Sequence, residues 1–439
     1  MRKATIGFLC AAIIFTSALP TAAELVPKRT VLENGVVLLT SEQRALPMIS
    51  IELLIDAGAR YDGTGKEGLA NLTARLLTYG TKRRSALQIS DSLDFIGASL
   101  STGCGEDLAN ISMTILKKDL ATGLALLSEI LTESTFPQEE IDRQKQSVLA
   151  ALKAREEDPG DIAERKFAAS LFPGSPYGRP VEGAASSVKE ISQKNLKEFY
   201  DRYVRPNRTI MAVVGDVSTE EIASALNQSF RSWMKGEPSS DPPVPIVTGQ
   251  SGTIRVNKDL TQANIIMGHE GVTRGNPDYY AIQVMNYILG GGGFSSRVMD
   301  SIRNERGLAY SVYTYFSANK SHGTFQFVMQ TKNDSAREAI RIAREEIERI
   351  RGQLVTEQEL SDAKDYLIGS FPLRLDTNQK VANFLAQVEF FQLGLDYPER
   401  YDDLIRKVTR DDVSRVARRY LRPEKFITVI VGNQNRIGG

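Results

Sequence analysis

The chain has 439 residues, enough for more than one hydrophobic core, and its 41% apolar and 25% charged content is that of an ordinary globular protein. Its 54 basic and 54 acidic residues cancel, which argues against nucleic acid as a partner, because phosphate binding needs a clustered basic surplus. It has only two histidines, His269 and His322, 53 positions apart, so a helix-borne zinc motif with two neighbouring histidines is excluded.

Residues 1–23 read as a cleavable export signal. Arg2 and Lys3 precede an apolar stretch to about Leu19, then Pro20 and a small-x-small end at Thr21 and Ala23. The alternative, a membrane anchor, fits less well, because the apolar run is short and contains Thr and Ser. Cleavage removes Cys10 and leaves Cys104 without an internal disulfide partner. No second apolar run is long enough to span a bilayer, so the mature protein is expected to be free of the membrane, with a bacterial periplasm as its destination.

Glu33-Asn34-Gly35 lies between two apolar runs and predicts a hairpin on an Asn-Gly turn. Residues 48–58 read as an apolar strand. Residues 66–80 carry leucines at 69, 72, 76 and 77, a helical stripe with Gly80 as its C-cap. Ser85 and Gln88 form a capping box for the next helix, and 109–116 alternate as a strand with one buried face. Pro137 is expected to start a long helix that ends at Pro159. In the second half, His269 lies in an alternating strand beside Glu270, and His322 in a turn. Adjacent strand residues point to opposite faces and cannot chelate one ion together, so both histidines read as ordinary surface or edge residues.

Two segments recur at a nearly constant offset. Tyr203, Arg205, Pro206, Val214 and Gly215 map onto Tyr420, Arg422, Pro423, Val431 and Gly432, each 217 positions on, and the run from Phe136 echoes the run from Val355 at 219. Repetition in the same order points to duplication of a domain of about 200 residues. The join falls in the Pro- and Ser-rich run 236–245. The expected organisation is a signal at 1–23, an N-terminal domain at 24–236, a linker at 237–246 and a C-terminal domain at 247–439. Each domain is α+β, a mainly antiparallel sheet with helices covering one face.

Residues 68–81, GLANLTARLLTYGT, resemble the zinc helix of the insulinase/pitrilysin-type peptidases, the inverzincins, whose signature is H-x-x-E-H. SPYGRPVEG (175–183), LGGGGFSSRV (289–298) and the paired R-P…V-G strand ends are similar to the small bacterial branch of that family, so the resemblance covers nearly the whole mature chain. It implies two homologous domains in tandem, forming half of a clam-like peptidase chamber. In the family, two histidines at i and i+4 grip zinc, the intervening Glu is the general base and a distant Glu completes the coordination. The matching positions here are Asn71, Ala74, Arg75 and, for the distant Glu, Ala151. Ala74 cannot take a proton, and Arg75 puts a permanent cation where a dication would sit. The resemblance therefore implies a degenerate zinc site, with no metal or other cofactor in this chain. The plainer reading of 68–81 is an amphipathic core helix.

The run from Ile288 to Ser317 resembles the family's substrate-holding element, in which an Arg on a helix and a Tyr seven residues later contact the peptide backbone. Arg303 and Tyr310 match that spacing, and Arg306 is the competitor for the Arg role. The structural alternative pairs Arg303 with a nearby acid and packs Tyr310 at a sheet edge. Gly290 to Gly293 lack the G-K-[ST] of a phosphate loop. What the resemblance implies is the non-catalytic subunit of a heterodimeric periplasmic zinc metallopeptidase that cleaves peptides. An H-x-x-E-H partner supplies zinc, and Arg303 and Tyr310 act in trans. The alternatives are a peptidase-derived scaffold or peptide-binding protein with no proteolytic role, and a hydrolase of another mechanism. No G-x-S-x-G is present, and Cys104 has no nucleophile motif around it.

Overall fold

The computed structural model describes residues 26–237 and 249–437. The export signal at 1–23 and most of the Pro-rich run at 236–245 lie outside the described residues.

The first sheet is built from β1 (Lys28–Val31), β2 (Val37–Glu42), β3 (Met48–Ile55), β4 (Ser99–Cys104), β5 (Ala109–Leu116) and β6 (Thr209–Gly215), in the order β1-β2-β6-β3-β5-β4. The second is built from β7 (Gly252–Asn257), β8 (Gln262–Glu270), β9 (Ala309–Ala318), β10 (Gly323–Lys332) and β11 (Ile427–Gly432), in the order β7-β11-β8-β10-β9. Without β1 the two orders coincide strand for strand. Both contain one parallel pair, β2 with β6 and β7 with β11, and are otherwise antiparallel. The recurring sequence segments end in β6 and β11, which occupy the same place in the two orders.

Local chemistry explains most boundaries. Gly35, at φ 92°, turns β1 back onto β2 as the Asn-Gly pair predicts. The Ser85 capping box opens the helix Ala86–Phe95. The helix expected over 66–80 is shorter, Leu69–Leu76, and Gly80 does not cap it. At φ 142° Gly80 bridges to Ser85, and an added Cβ would lie 2.7 Å from Pro137 Cγ, so this glycine serves a close approach. Pro137 does open the helix Gln138–Arg155, but Pro159 does not end it. Pro159 takes the first position of the next helix, Pro159–Leu171, whose start is capped by the Asp158 carboxylate accepting from the Asp161 amide.

Helices cover both faces of each sheet, not one. On β3, Ile49, Ile51, Leu53 and Ile55 face a core made with helices of the first half. Leu54, on the opposite face, packs with Leu39, Ala212 and Val214 against Val381, Ala382, Leu385 and Ala386 of the helix Asn378–Phe390, which belongs to the second half. The converse holds for the second sheet. Ile427, Val429 and Val431 of β11 pack against Ile162, Ala163, Phe167 and Leu171 of the helix Pro159–Leu171, from the first half. The two crossing helices lie 219 positions apart, so the duplication includes an exchange in which each half roofs the other. Each fully buried Leu or Ile at these contacts contributes about 2 kcal/mol of apolar burial.

Both histidines are buried, at 1% exposure for His269 and 7% for His322, contrary to a surface assignment. His269 packs in a cluster with the rings of Phe325 and Phe426. Its Nε2 accepts the Arg422 amide at 3.0 Å, so the turn after Tyr420 covers what the strand pattern left open. Burial holds the His269 imidazole down to a pKa of about 4, a neutral ring at ordinary pH. Among the described residues no helix is long and apolar enough to cross a membrane.

Candidate functional site

The helix Leu69–Leu76 is held at its start by a carboxylate from outside it. Asp62 accepts the Gly68 and Ala70 amides, each at 2.8 Å. Gly68 is left-handed at φ 96°, and a Cβ there would lie 2.5 Å from the Glu182 carbonyl oxygen. A Cβ on Gly183 would lie 2.0 Å from that of Glu67. The segments 67–68 and 182–183 therefore meet backbone to backbone, which accounts for the glycine ending SPYGRPVEG. Burial pushes the Asp62 carboxyl up to about 7 against the two amides.

On this helix Asn71 and Ala74 are buried, and the Asn71 Nδ2 has no hydrogen-bond partner. Arg75 donates from Nε and Nη2 to the Gln144 Oε1, at 3.4 and 3.3 Å, on the neighbouring helix Gln138–Arg155. Ala151 lies two turns further along that helix, about 10 Å from Gln144 along its axis, and is exposed. The structure thus brings Asn71, Ala74 and Arg75 onto one short helix and adds Gln144, which the sequence did not suggest. These residues do not fit a zinc ion. They offer an amide donor without a partner, a methyl group and a guanidinium. Among the described residues no group of three or more His, Cys, Asp or Glu side chains converges as a metal site.

The second element is built on β9, the edge strand of the second sheet. The helix Tyr279–Asn286 widens into π-helical turns over Tyr287–Gly291. A Cβ at Gly290 would lie 2.4 Å from the Thr314 Oγ1, while Asn286 exchanges hydrogen bonds with Thr314 at 2.9 and 3.2 Å. The glycine run is thereby pinned against β9, and Gly293, at φ 59°, turns Phe294 outward to 71% exposure. A second π-helical segment, Met299–Asn304, carries Arg303.

The Arg303 guanidinium carbon lies 4.8 Å from the Phe294 ring centroid and 5.6 Å from that of Tyr310. Tyr310 is 75% exposed at the start of β9. Stacking with exposed rings contributes about 0.5–1 kcal/mol per ring and fixes the direction of the guanidinium fork. Among the described residues no carboxylate pairs with Arg303, whereas Arg306 is engaged by the Ser301 carbonyl at 2.5 Å and Glu305 at 2.7 Å. Arg303, half-buried with its Nη1 4.0 Å from the Met299 Sδ, and the exposed Tyr310 are therefore adjacent. Phe294 completes the cluster; its only signal in the sequence was a large apolar residue ending a glycine run.

Residues 37–185 match the family described as Insulinase (Peptidase family M16), and residues 190–367 match Peptidase M16 inactive domain. The chain belongs to the insulinase peptidase family. It is a peptidase-like member of the inactive type, two family domains in tandem. It is 30% identical over 346 residues to an uncharacterized zinc protease of Rickettsia bellii, covering 76% of this chain and 83% of that one. It is 26% identical over 396 residues to the non-peptidase homolog YmxG of Helicobacter pylori, covering 90% and 91%. The crystal structure of a peptidase M16 inactive domain from Pseudomonas fluorescens superposes with a TM-score of 0.89 at 27% identity, over 93% of this chain and 99% of that one. The second family match begins at residue 190 and so includes β6, which is hydrogen-bonded into the first sheet between β2 and β3.

Proposed function

We propose that this chain is the non-catalytic, substrate-binding subunit of a heterodimeric zinc metallopeptidase of the bacterial periplasm. The observation that carries the reading is the pairing of a helix whose Asn71, Ala74 and Arg75 do not fit a metal with an Arg303–Tyr310 element in which Tyr310 is exposed and, among the described residues, no carboxylate pairs with Arg303. An H-x-x-E-H partner brings the metal and the general base. This chain brings half of the peptide chamber. Arg303 directs its donors at peptide carbonyl oxygens, and the Tyr310 hydroxyl donates to the carbonyl that gains negative charge during attack. The free edge of β9 suits a peptide added as a strand, recognised through its backbone.

The test is reconstitution. The purified chain is mixed with an H-x-x-E-H relative from the same cell, and peptide cleavage is followed. Arg303→Ala and Tyr310→Phe are each expected to lower turnover about 100-fold while leaving heterodimer formation intact. Unchanged turnover in both variants would remove their assigned roles. A stable homodimer with no zinc-bearing relative would favour a scaffold or peptide-binding protein instead, a reading that the name of the Helicobacter pylori relative also suits.

A further inference from the structure

Arg303 stands in a stretch bracketed by glycines. Gly293 and Gly307, at φ 59° and 61°, flank residues 294–306, and Gly290 to Gly292 precede them. Glycine leaves a backbone with little stiffness of its own. Within the stretch Met299–Asn304 is π-helical, a rare geometry frequent at functional sites. One side chain ties the stretch to a helix outside it, Glu357–Gly369. Arg297 donates from Nε and Nη2 to the two Glu359 oxygens at 2.6 and 2.9 Å, a bidentate fork. Among the described residues it is the only ion pair joining 294–306 to the rest of the chain, because Arg306 pairs with Glu305 inside the stretch. The Arg297 side chain is 12% exposed and its Nη1 is buried without a partner, so the guanidinium is kept there despite an unmade hydrogen bond.

Glu359 is itself fixed. Its Oε2 accepts the Thr356 amide at 2.7 Å, in the capping box that opens its helix. Burial raises the Glu359 carboxyl, but the Arg297 and Thr356 hydrogen bonds outweigh it and hold the group down to about 2, so the fork stays ionic at ordinary pH. The same helix backs the start of the glycine run, with the Tyr366 ring 4.8 Å from that of Tyr287. The duplication supplies an internal comparison. Glu140, 219 positions before Glu359, pairs at 3.4 Å with Arg143 of its own helix. The fork to a neighbouring segment thus belongs to the half that carries Arg303.

We propose that Arg297, clamped by Glu359, is a positioning residue that holds the Arg303 guanidinium against Phe294 and Tyr310. Its consequence for turnover rests on the substrate-binding reading of Arg303 given above. Arg297 comes three residues after Phe294 and six before Arg303, whose guanidinium carbon is 4.8 Å from the Phe294 ring centroid. Fixing position 297 therefore sets both members of that stack and, through Arg303, its approach to Tyr310. The effect is one of orientation, and a displacement of about 1 Å at a reacting centre can cost about 100-fold in rate.

The experiment uses the full mature chain with Glu359→Gln and Arg297→Lys. Glutamine keeps the capping box and offers the fork one acceptor in place of two; lysine keeps the charge and loses the fork. On the chain alone, Tyr310 is replaced by a ring-fluorinated tyrosine and its fluorine NMR resonance is recorded. Both variants are expected to shift that resonance in the same direction as Arg303→Ala does. An unmoved resonance in Glu359→Gln overturns the proposal, and this isosteric change carries the test by itself if Arg297→Lys does not fold. In the reconstituted peptidase each variant is expected to lower kcat about tenfold with KM within about twofold. When Arg303 is already alanine, the same changes are expected to alter kcat by less than about twofold. An equal loss in both backgrounds marks a general structural role and overturns the proposal. A shifted resonance while Arg303→Ala leaves turnover unchanged supports the positioning of Arg303 and overturns the substrate-binding reading instead.

Discussion

Arg75 places its guanidinium 3.3 Å from the amide oxygen of Gln144, so the helices Leu69–Leu76 and Gln138–Arg155 meet through a cationic hydrogen bond. The first of these is anchored at its start by Asp62 and Gly68.

The first prediction concerns metal. The isolated chain, exposed to zinc and dialysed, is expected to retain less than about 0.1 equivalent by mass spectrometry, because no three-ligand face exists among the described residues. The triple change Asn71→His, Ala74→Glu and Arg75→His restores two ligands but not the one missing at Ala151. Its zinc binding is expected to be readily stripped by chelator.

The second concerns Glu52, on the face of β3 roofed by the crossing helix. It is fully buried, its Oε2 accepts from the Gln379 Nε2 at 2.9 Å and also from Ser112, and its Oε1 has no partner. Burial pushes its carboxyl up to about 7. A raised acid pKa means that the folded chain holds the proton more tightly than the unfolded one. Stability therefore falls as pH rises from the unfolded value near 4.5 to about 7, and is level above that. Glu52→Gln keeps the neutral hydrogen bonds and removes the titration. Relative to wild type it is expected to gain about 2 kcal/mol in urea unfolding between pH 5 and pH 8. A constant difference across that range would refute the account.

The third concerns the exchanged helices. Leu385→Ala and Phe167→Ala each open a cavity under a sheet of the opposite half and are expected to cost about 2–5 kcal/mol. Because each half roofs the other, melting of the intact chain is expected to be one transition. A fragment ending at Gly236 leaves Leu39, Leu54, Ala212 and Val214 uncovered and is expected to associate or bind a hydrophobic dye. Two resolved transitions, or a monomeric dye-free fragment, would contradict this.

The fourth concerns Phe294. In the reconstituted peptidase, Phe294→Ala removes one of the two rings beside Arg303, and turnover is expected to drop about three- to tenfold. The side chain is 71% exposed, so the melting temperature of the chain alone is expected to change by less than about 2 °C.

Local chemistry made much of this protein legible. The Asn-Gly hairpin, the Ser85 capping box, the alternation of β5 and the paired ends of β6 and β11 depend on neighbours within a few residues, and all are present as read. That Ala74 and Arg75 cannot serve as metal ligand or base was equally plain, since a methyl group and a permanent cation can do neither. Gly80 and Pro159 were misplaced because the same residue type can end one element or serve the next, and only the approach of Pro137 and the Asp158 cap distinguish these uses.

The sequence by itself determined the duplication, the sheet-forming segments, the scarcity of histidine and the Arg303–Tyr310 spacing, all of which follow from residue identity and short-range periodicity. Only the tertiary structure decided that helices 159–171 and 378–390 exchange sheets, that both histidines are buried, that Gln144 answers Arg75 and that Phe294 flanks Arg303. A helix's apolar stripe states that it must be covered but carries no record of which sheet does so. That choice is made by the burial available once both halves have formed.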